Sequence, residues 1–126
     1  MVWTVLVTAL NLVMFVVLGG LVSRARGMFG VPAPAMTGDP RFERIYRVHQ
    51  NTAEQLIVFL PSLWMFAFYV SDLWAGLLGL VFLGGRALYA SSYFVDASKR
   101  APGFIVSIAA TMVLLIGAVI GVLFFN

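Results

Sequence analysis

The chain has 126 residues, of which 62% are hydrophobic and 10% are charged, and its mean hydropathy is +1.01. Eight Lys and Arg and five Asp and Glu side chains cannot cover the surface of a 13.8 kDa soluble domain, so the composition argues against a water-soluble fold. The net charge of +3 does not indicate nucleic-acid binding, because the cations cluster beside apolar runs, where lipid headgroups and membrane topology account for them. With no cysteine, the chain has neither a disulfide nor a thiol nucleophile of its own.

The first apolar segment, residues 2–22, carries no charged side chain. About 21 residues at about 1.5 Å each give about 31 Å, enough to cross a bilayer core of roughly 30 Å. A cleaved signal peptide is disfavoured, because arginines follow the segment as a stop-transfer flank. Residues 23–40 are rich in glycine and proline and are predicted to form a loop.

The second segment, residues 41–70, is predicted to be one helix of about 45 Å, which is longer than the hydrocarbon is thick. Asp39 and Pro40 are typical of a helix start. Pro61 lies inside the apolar half, where neighbouring helices can satisfy the backbone groups that it frees. Ser71 and Asp72 leave room only for a very short turn, so the second and third helices are predicted to form an antiparallel hairpin.

The third segment covers residues 73–97, and the fourth, residues 103–125, is again free of charge. Lys99 and Arg100 lie in the turn between them. The predicted fold class is therefore all-α, a single domain over residues 1–126 that forms an integral membrane four-helix bundle, with each helix spanning the bilayer.

The cations are unevenly distributed between the connections. The first connection and the start of the second helix hold most of them, the third connection holds two, and the second connection contains only the acidic Asp72. By the positive-inside rule, the long first loop and the third connection are predicted to be cytoplasmic, with both termini on the opposite side. The residues counted are Arg24, Arg26, Arg41, Arg44, Arg47, Lys99 and Arg100.

Polar side chains share one face of the second helix. At about 100° per residue, five of them fall within about 100° of each other, and His49 lies on the opposite face. Because the apolar run resumes at Leu56, these groups lie at or just below the membrane surface, where a charge is costly without a partner. The five are Arg44, Arg47, Asn51, Glu54 and Gln55.

The third helix carries a matching stripe. Arg86, Tyr89 and Tyr93 follow a spacing of three and four residues, which continues through Asp96 and, if the helix persists that far, through Arg100. Guanidinium, phenol and carboxylate groups on facing helices predict a cavity for a small zwitterionic or anionic ligand.

A purely structural role for these stripes is the alternative. Glu54 would then neutralise Arg47 or Arg86 inside the bundle, and the tyrosines would anchor at the interface. Spacing alone does not separate this alternative from a ligand site. No metal site is predicted, since His49 has no second histidine or cysteine near it.

Two long motifs resemble the MAPEG family, the membrane-associated proteins of eicosanoid and glutathione metabolism. Residues 42–54, FERIYRVHQNTAE, followed by the Phe59-Leu60-Pro61 triplet, resemble the family's second-helix signature. Residues 86–93 and 99–102 resemble its third-helix pattern, and residues 37–40 fit its loop. The resemblance covers nearly the whole chain.

The resemblance implies a homotrimer with glutathione bound between adjacent subunits near the cytoplasmic face. The positions that hold the tripeptide in glutathione-using members match Arg47, Asn51, Glu54, Tyr89 and Tyr93. Arg26 and His49 match positions contributed by the neighbouring subunit, and Arg86 matches one that lines the pocket. Arg100 matches the arginine that stabilises the glutathione thiolate. Arg44 and Gln55, which share the polar face, complete the predicted binding set. His49 stands where family members often carry glutamine, and Gln55 stands where the leukotriene branch has an aromatic residue, so the donor pattern and the lipid substrate need not be the same.

The function that the resemblance implies is a membrane-bound glutathione transferase, active in detoxification or on a lipid electrophile, with an associated peroxidase activity on lipid hydroperoxides. Its second substrate is expected to be hydrophobic and to arrive from the membrane lipids. The expected location is a bacterial inner membrane or the endoplasmic reticulum. A non-enzymatic lipid-presenting scaffold of the same family is one alternative. A small transporter is another, disfavoured because the first and fourth segments contain no ionisable side chain.

Overall fold

A computed structural model describes residues 1–125, which form four long α-helices and one 3-10 turn. The α-helices are α1 (Val2–Phe29), α2 (Pro40–Tyr69), α3 (Asp72–Val95) and α4 (Ala101–Phe125), and the 3-10 turn is Ala97–Lys99. Each long helix is long and apolar enough to cross a membrane. The predicted all-α membrane architecture is confirmed. Helices α2 and α3 each pack against all the other long helices and so form the centre of the bundle.

The distribution of side chains is the reverse of that in a soluble protein. Large apolar side chains face outwards, such as Val16 at 72% and Ile57 at 73% exposure. Polar side chains lie inside, among them Arg86 at 1% exposure. The apolar core is centred on Phe59 and Phe82, whose rings stack with centroids 3.8 Å apart. An apolar exterior of this kind is stable in lipid, where the bilayer is the solvent.

Helix α1 continues beyond its predicted end at residue 22 and reaches Phe29, so the loop is shorter than the predicted 23–40. Loss of apolar character does not itself end a helix, and arginine is a good helix former. The helix ends at Gly30, which adopts the left-handed conformation with φ of 66°, and the N–H groups of Gly30 and Val31 both donate to the carbonyl of Arg26.

Helix α2 begins where the sequence predicts. The carboxylate of Asp39 accepts the backbone N–H of Arg41, and Pro40 occupies the first turn. The helix runs unbroken through Pro61, and the hydroxyl of Ser62 donates to the carbonyl of Val58 at 2.7 Å. The hairpin turn to α3 is as tight as predicted, with Ser71 capping the backbone N–H of Trp74.

Helix α3 ends at Val95, two residues before the predicted end, so it does not persist to Arg100. Asp96 is extended, with φ of −155°, and its carboxylate accepts the backbone N–H and the hydroxyl of Ser98. This local cap competes with continuation of the helix and starts the 3-10 turn. Helix α4 then begins at Ala101, two residues earlier than predicted, with a proline in its first turn.

The two ends of the bundle differ in construction. At the hairpin end, which contains the α2–α3 turn, the carboxylate of Asp72 accepts the backbone N–H of Trp3 at 3.2 Å and both the N–H and the hydroxyl of Thr4 at 2.9 and 2.7 Å. At the loop end, which contains the α1–α2 loop and the α3–α4 turn, Gly103 lies so close to the backbone of Tyr89 and Gly85 that a Cβ there would overlap both. This contact fixes the start of α4 against α3.

Candidate functional site

A groove at the loop end lies between α2, α3 and the start of α4. We call it the polar groove, and its volume is about 530 Å³. Its lining residues come from about three turns of α2, two turns of α3 and the α3–α4 turn. They are Tyr46, Arg47, Gln50, Asn51, Glu54, Tyr89, Tyr93, Ala97 and Arg100.

Two further cavities adjoin the polar groove. One, of about 410 Å³, shares Asn51, Tyr89 and Arg100 with it and extends to Ala101 and Phe104 at the start of α4. The other, of about 390 Å³, shares Arg47, Tyr93 and Ala97. The three cavities together form one band of concave surface around the loop end of the bundle.

The α2 wall of the groove carries charges that the described residues do not neutralise. Arg47 and Glu54 are exposed, and neither makes a hydrogen bond or ion pair with another residue of the 1–125 range. Within that range the only ion pair joins Arg41 to Asp39. The pairings of Glu54 with Arg47 or Arg86 that a structural role requires are therefore not formed within the described subunit.

The α3 wall is aromatic. Tyr89 and Tyr93 are 4% and 8% exposed, and their ring centroids lie 5.4 Å apart. Both rings pack in a small apolar cluster with Leu18 and Val48. Since the rings are held on a well-packed face of α3, they form a fixed wall for the groove.

Arg100 enters the groove by a different route from the one that its spacing suggested. It follows the 3-10 turn rather than a continued α3, and its guanidinium donates to the carbonyl of Ala97 at 2.8 Å. It is exposed, and it lines both the polar groove and the adjoining cavity beside Phe104. Most of its donors remain available, because a guanidinium has five N–H groups.

Arg86 lies behind the groove rather than along it. Its guanidinium donates to the Oδ1 of Asn51 at 2.7 Å, to the hydroxyl of Thr52 at 3.4 Å and to that of Ser107 at 2.9 Å. It also stacks over the Tyr89 ring at 4.3 Å. At 1% exposure it reaches the groove only through Asn51 and Tyr89, which cover it.

The remaining predicted residues lie outside the polar groove. Arg44 donates to the carbonyl of Phe94 at 3.1 Å and lines the adjoining cavity beside Tyr93. Gln55 is half-buried and lines none of the three cavities. Arg44 and Gln55 lie on the same edge of the predicted face, and they are its first and last residues along α2.

Arg26 and His49 lie at the interface of α1 with α2 and the loop. The guanidinium of Arg26 donates to the carbonyl of Ala35 at 2.7 Å and lies 4.9 Å from the centre of the Phe42 ring, so it holds the loop in place. His49 stacks on Phe15 with centroids 4.6 Å apart, as expected from its position opposite the polar face. Neither residue lines the three cavities.

Sequence reasoning missed two lining residues, Tyr46 and Gln50. The Nε2 of Gln50 donates to the Tyr46 hydroxyl at 3.1 Å, and both line the groove. The missed signal was the spacing Tyr46–Gln50 and Arg47–Gln50–Glu54, which follows the helical period as well as the stripe that starts at Arg44 and extends the polar face to these two residues.

Two carboxylates at the loop end, those of Asp39 and Asp96, have lowered pKa values. The Arg41 guanidinium, and then its backbone N–H, lower the pKa of Asp39 to about 2. The backbone N–H and the hydroxyl of Ser98 lower the pKa of Asp96. Within residues 1–125, no three His, Asp or Glu side chains are grouped so as to hold a metal ion.

Comparison with known proteins gives a consistent result. A model of the MAPEG family matches residues 1–120. An uncharacterized protein of Synechocystis is 46% identical over 96% of this chain and 88% of its own length.

Two animal relatives are named for an activity. Human microsomal glutathione S-transferase 2 is 39% identical over 80% of this chain and 69% of its own length. Leukotriene C4 synthase of Bos taurus is 37% identical over 79% of this chain and 66% of its own length. In both, the matched region is the greater part of the relative.

Proposed function

The chain belongs to the MAPEG family, and from that premise we propose that it is a membrane-bound glutathione transferase that binds glutathione in the polar groove. One observation carries this proposal. Arg47 and Glu54 are exposed and oppositely charged, they lie on one wall of the groove, and neither side chain has a partner among the described residues. Charges placed near the membrane surface are costly, so a ligand with complementary charges is the economical reason to keep them.

The residues of the groove match the groups of glutathione. The tripeptide has two carboxylates, an ammonium group, two amides and a thiol. Arg47 supplies a guanidinium for a carboxylate, Glu54 a carboxylate for the ammonium group, and the tyrosine hydroxyls and Asn51 hydrogen bonds for the amides. This set accounts for one carboxylate, the ammonium group and the amides, and it leaves Arg100 for the thiol.

Arg100 is proposed to stabilise the thiolate. A thiol like that of cysteine has a pKa near 8.5, and lowering it by two units requires about 2.7 kcal/mol of preferential anion stabilisation. A guanidinium in a water-poor cavity supplies energy of this order. When bound, the thiol loses its proton, and the sulfur forms a bond to an electrophilic carbon as the leaving group departs or an epoxide opens. Alternatively, two glutathione molecules supply the two electrons and two protons that reduce a lipid hydroperoxide to an alcohol and water, and are themselves oxidised to the disulfide.

The second substrate is proposed to enter from the membrane beside α4. The cavity next to Arg100 continues onto Ala101 and Phe104, which give it an apolar wall. In the polar groove, by contrast, the α2 wall carries the charges of Arg47 and Glu54. A hydrophobic electrophile therefore meets the thiol at the boundary between the two cavities. The loop end is proposed to face the cytoplasm, in agreement with its excess of arginine.

We also propose that three subunits assemble with the site between neighbours. The groove is open on one side, and Arg47, Gln50 and Glu54 are exposed at a depth where lipid solvates them poorly. A second copy would cover them and complete the enclosure, as closed cyclic symmetry allows. Native mass spectrometry in mild detergent should show three chains. A monomer that binds glutathione fully would contradict the assembly.

Calorimetric titration of the detergent-purified protein with glutathione tests the function, together with turnover of a chlorodinitrobenzene. We expect saturable binding, absorbance of a bound thiolate near neutral pH, and conjugate formation. Binding without turnover of any electrophile would favour the lipid-presenting scaffold. No binding of glutathione would overturn the transferase proposal.

A further inference from the structure

Arg86 is a buried cation with only neutral oxygen atoms around it. Its guanidinium donates to an amide oxygen and two hydroxyls, and no acidic side chain of the described residues lies within ion-pair distance. Its Nε has no hydrogen-bond partner among residues 1–125. Burying a guanidinium without an acidic partner costs free energy of desolvation, so the contacts that it makes are expected to have a role.

The strongest of these contacts fixes a side chain of the polar groove. Arginine can only donate hydrogen bonds, so the atom of Asn51 that faces Arg86 at 2.7 Å must be the oxygen. An amide has one oxygen and one NH2 group, which diverge from the same planar carbon, so they cannot both face Arg86. The NH2 group of Asn51 is therefore turned away from Arg86, while Asn51 itself lines the polar groove and the adjoining cavity.

The other contacts hold Arg86 itself in place. The hydroxyl of Ser107 on α4 accepts a hydrogen bond from Arg86. The same hydroxyl donates a hydrogen bond that is shared between the backbone carbonyls of Gly103 and Phe104. The Tyr89 ring covers the guanidinium at 4.3 Å. Because α3 and α4 are in direct backbone contact at Gly103, the guanidinium has little freedom to turn away from Asn51.

We propose that Arg86 is a positioning residue that acts through Asn51. It keeps the amide oriented so that the groove receives two N–H donors, and the ligand atom at this place is consequently an acceptor, a carboxylate or amide carbonyl oxygen of glutathione. This inference rests on the proposed function and deepens it. It assigns Arg86 no contact with the ligand.

A double-mutant cycle on glutathione binding tests the inference. We expect Arg86→Gln and Asn51→Ala each to raise the Kd for glutathione by about tenfold, and the double variant to raise it by about the same tenfold rather than by about a hundredfold. The kcat at saturating glutathione should stay within about twofold, because the reacting atoms are not touched. Thr111→Ala is the control, since it removes a buried hydroxyl of α4 that makes no contact with Arg86.

Asn51→Asp gives a second test that does not depend on tolerance of a change at position 86. An aspartate retains the oxygen that Arg86 needs, so the variant should unfold at a temperature no lower than the wild type. It presents an acceptor to the groove in place of donors, so glutathione binding should fall at least as far as in Asn51→Ala. Additive effects in the cycle, or normal binding by Asn51→Asp, would overturn the inference while leaving the proposed function intact. A wild type that does not bind glutathione would overturn both.

Discussion

The hairpin end and the loop end differ in whether their charged side chains have partners within the described residues. Asp72 at the hairpin end has three hydrogen-bond donors from α1 on its carboxylate. Arg47 and Glu54 at the loop end have no partner among the described residues and line a groove. A charge whose partners lie in the same chain contributes to the fold, whereas a charge that faces an open cavity costs stability unless something else binds there. The two ends therefore separate the residues that hold the bundle together from those that we propose bind glutathione.

The largest expected effect is on the binding charges of the loop end. Arg47→Ala and Glu54→Ala should each weaken glutathione binding by about 1.5 to 3 kcal/mol, roughly 10- to 150-fold, because each removes one charge-assisted contact. Thermal unfolding should be almost unchanged, since neither side chain has a partner in the described subunit. Arg24→Ala is the control, an exposed cation of α1 that lines none of the three cavities. A lower unfolding temperature with unchanged affinity for glutathione would show that these charges stabilise the fold, as Asp72 does, and would contradict the prediction.

A change at Arg100 should affect the chemistry more than the binding. Arg100→Ala should leave the affinity for glutathione within a few fold and raise the pKa of the bound thiol by about one to two units, or about 1.4 to 2.7 kcal/mol. Turnover at neutral pH should fall and recover in part at higher pH. The thiolate absorbance of bound glutathione against pH measures this directly. An unchanged titration curve would move the role to another donor of the groove.

A change at the hairpin end should have the opposite result. Asp72→Asn keeps the shape of the side chain but weakens its contacts with the N–H groups of Trp3 and Thr4. We expect a lower thermal unfolding midpoint and unchanged affinity for glutathione. Thr4→Val, which removes one donor to the same carboxylate, should lower the midpoint by less. A loss of glutathione affinity in either variant would mean that the two ends are coupled.

The smallest expected effect is on the stability of the fold at low pH, through Asp39. Asp39 has a pKa of about 2 in the folded protein against an ordinary value of 3.8, so the stability that it contributes is complete above about pH 4 and is lost as the pH falls towards 2. The partner Arg41 is exposed, and an ion pair at the surface contributes little, so the change in unfolding temperature should be small. Asp39→Asn retains the helix cap and should remove this part of the acid sensitivity. An identical pH profile in the variant would show that the Arg41 contact does not matter in solution.

The sequence predicted the number and order of the helices because apolar runs of spanning length are visible without any structure. It did not predict the end of α1 at Phe29, which depends on the left-handed backbone of Gly30, or the end of α3 at Val95, which depends on the cap made by Asp96. Such endings are local hydrogen-bond arrangements, and hydropathy does not report them.

For the candidate site, too, the sequence predicted only part of what the structure shows. Spacing along α2 placed Arg47, Asn51 and Glu54 on one face, and the structure brings them together in the groove. Spacing gives the direction of a side chain but not its depth, so it could not show that Arg86 lies behind Asn51. Arg100 reaches the groove through the turn into α4, which no helical period describes.

The contact between Asp72 and α1 also has a consequence for how the protein is made. The partners Thr4 and Asp72 are 68 residues apart, so α1 is synthesised and enters the membrane well before its capping carboxylate exists. Until α3 has been made, the first N–H groups of α1 have no carboxylate to accept them, and only the arginines at the other end of α1 restrain its position. The contact that joins α1 to α3 at the hairpin end can therefore form only late in synthesis.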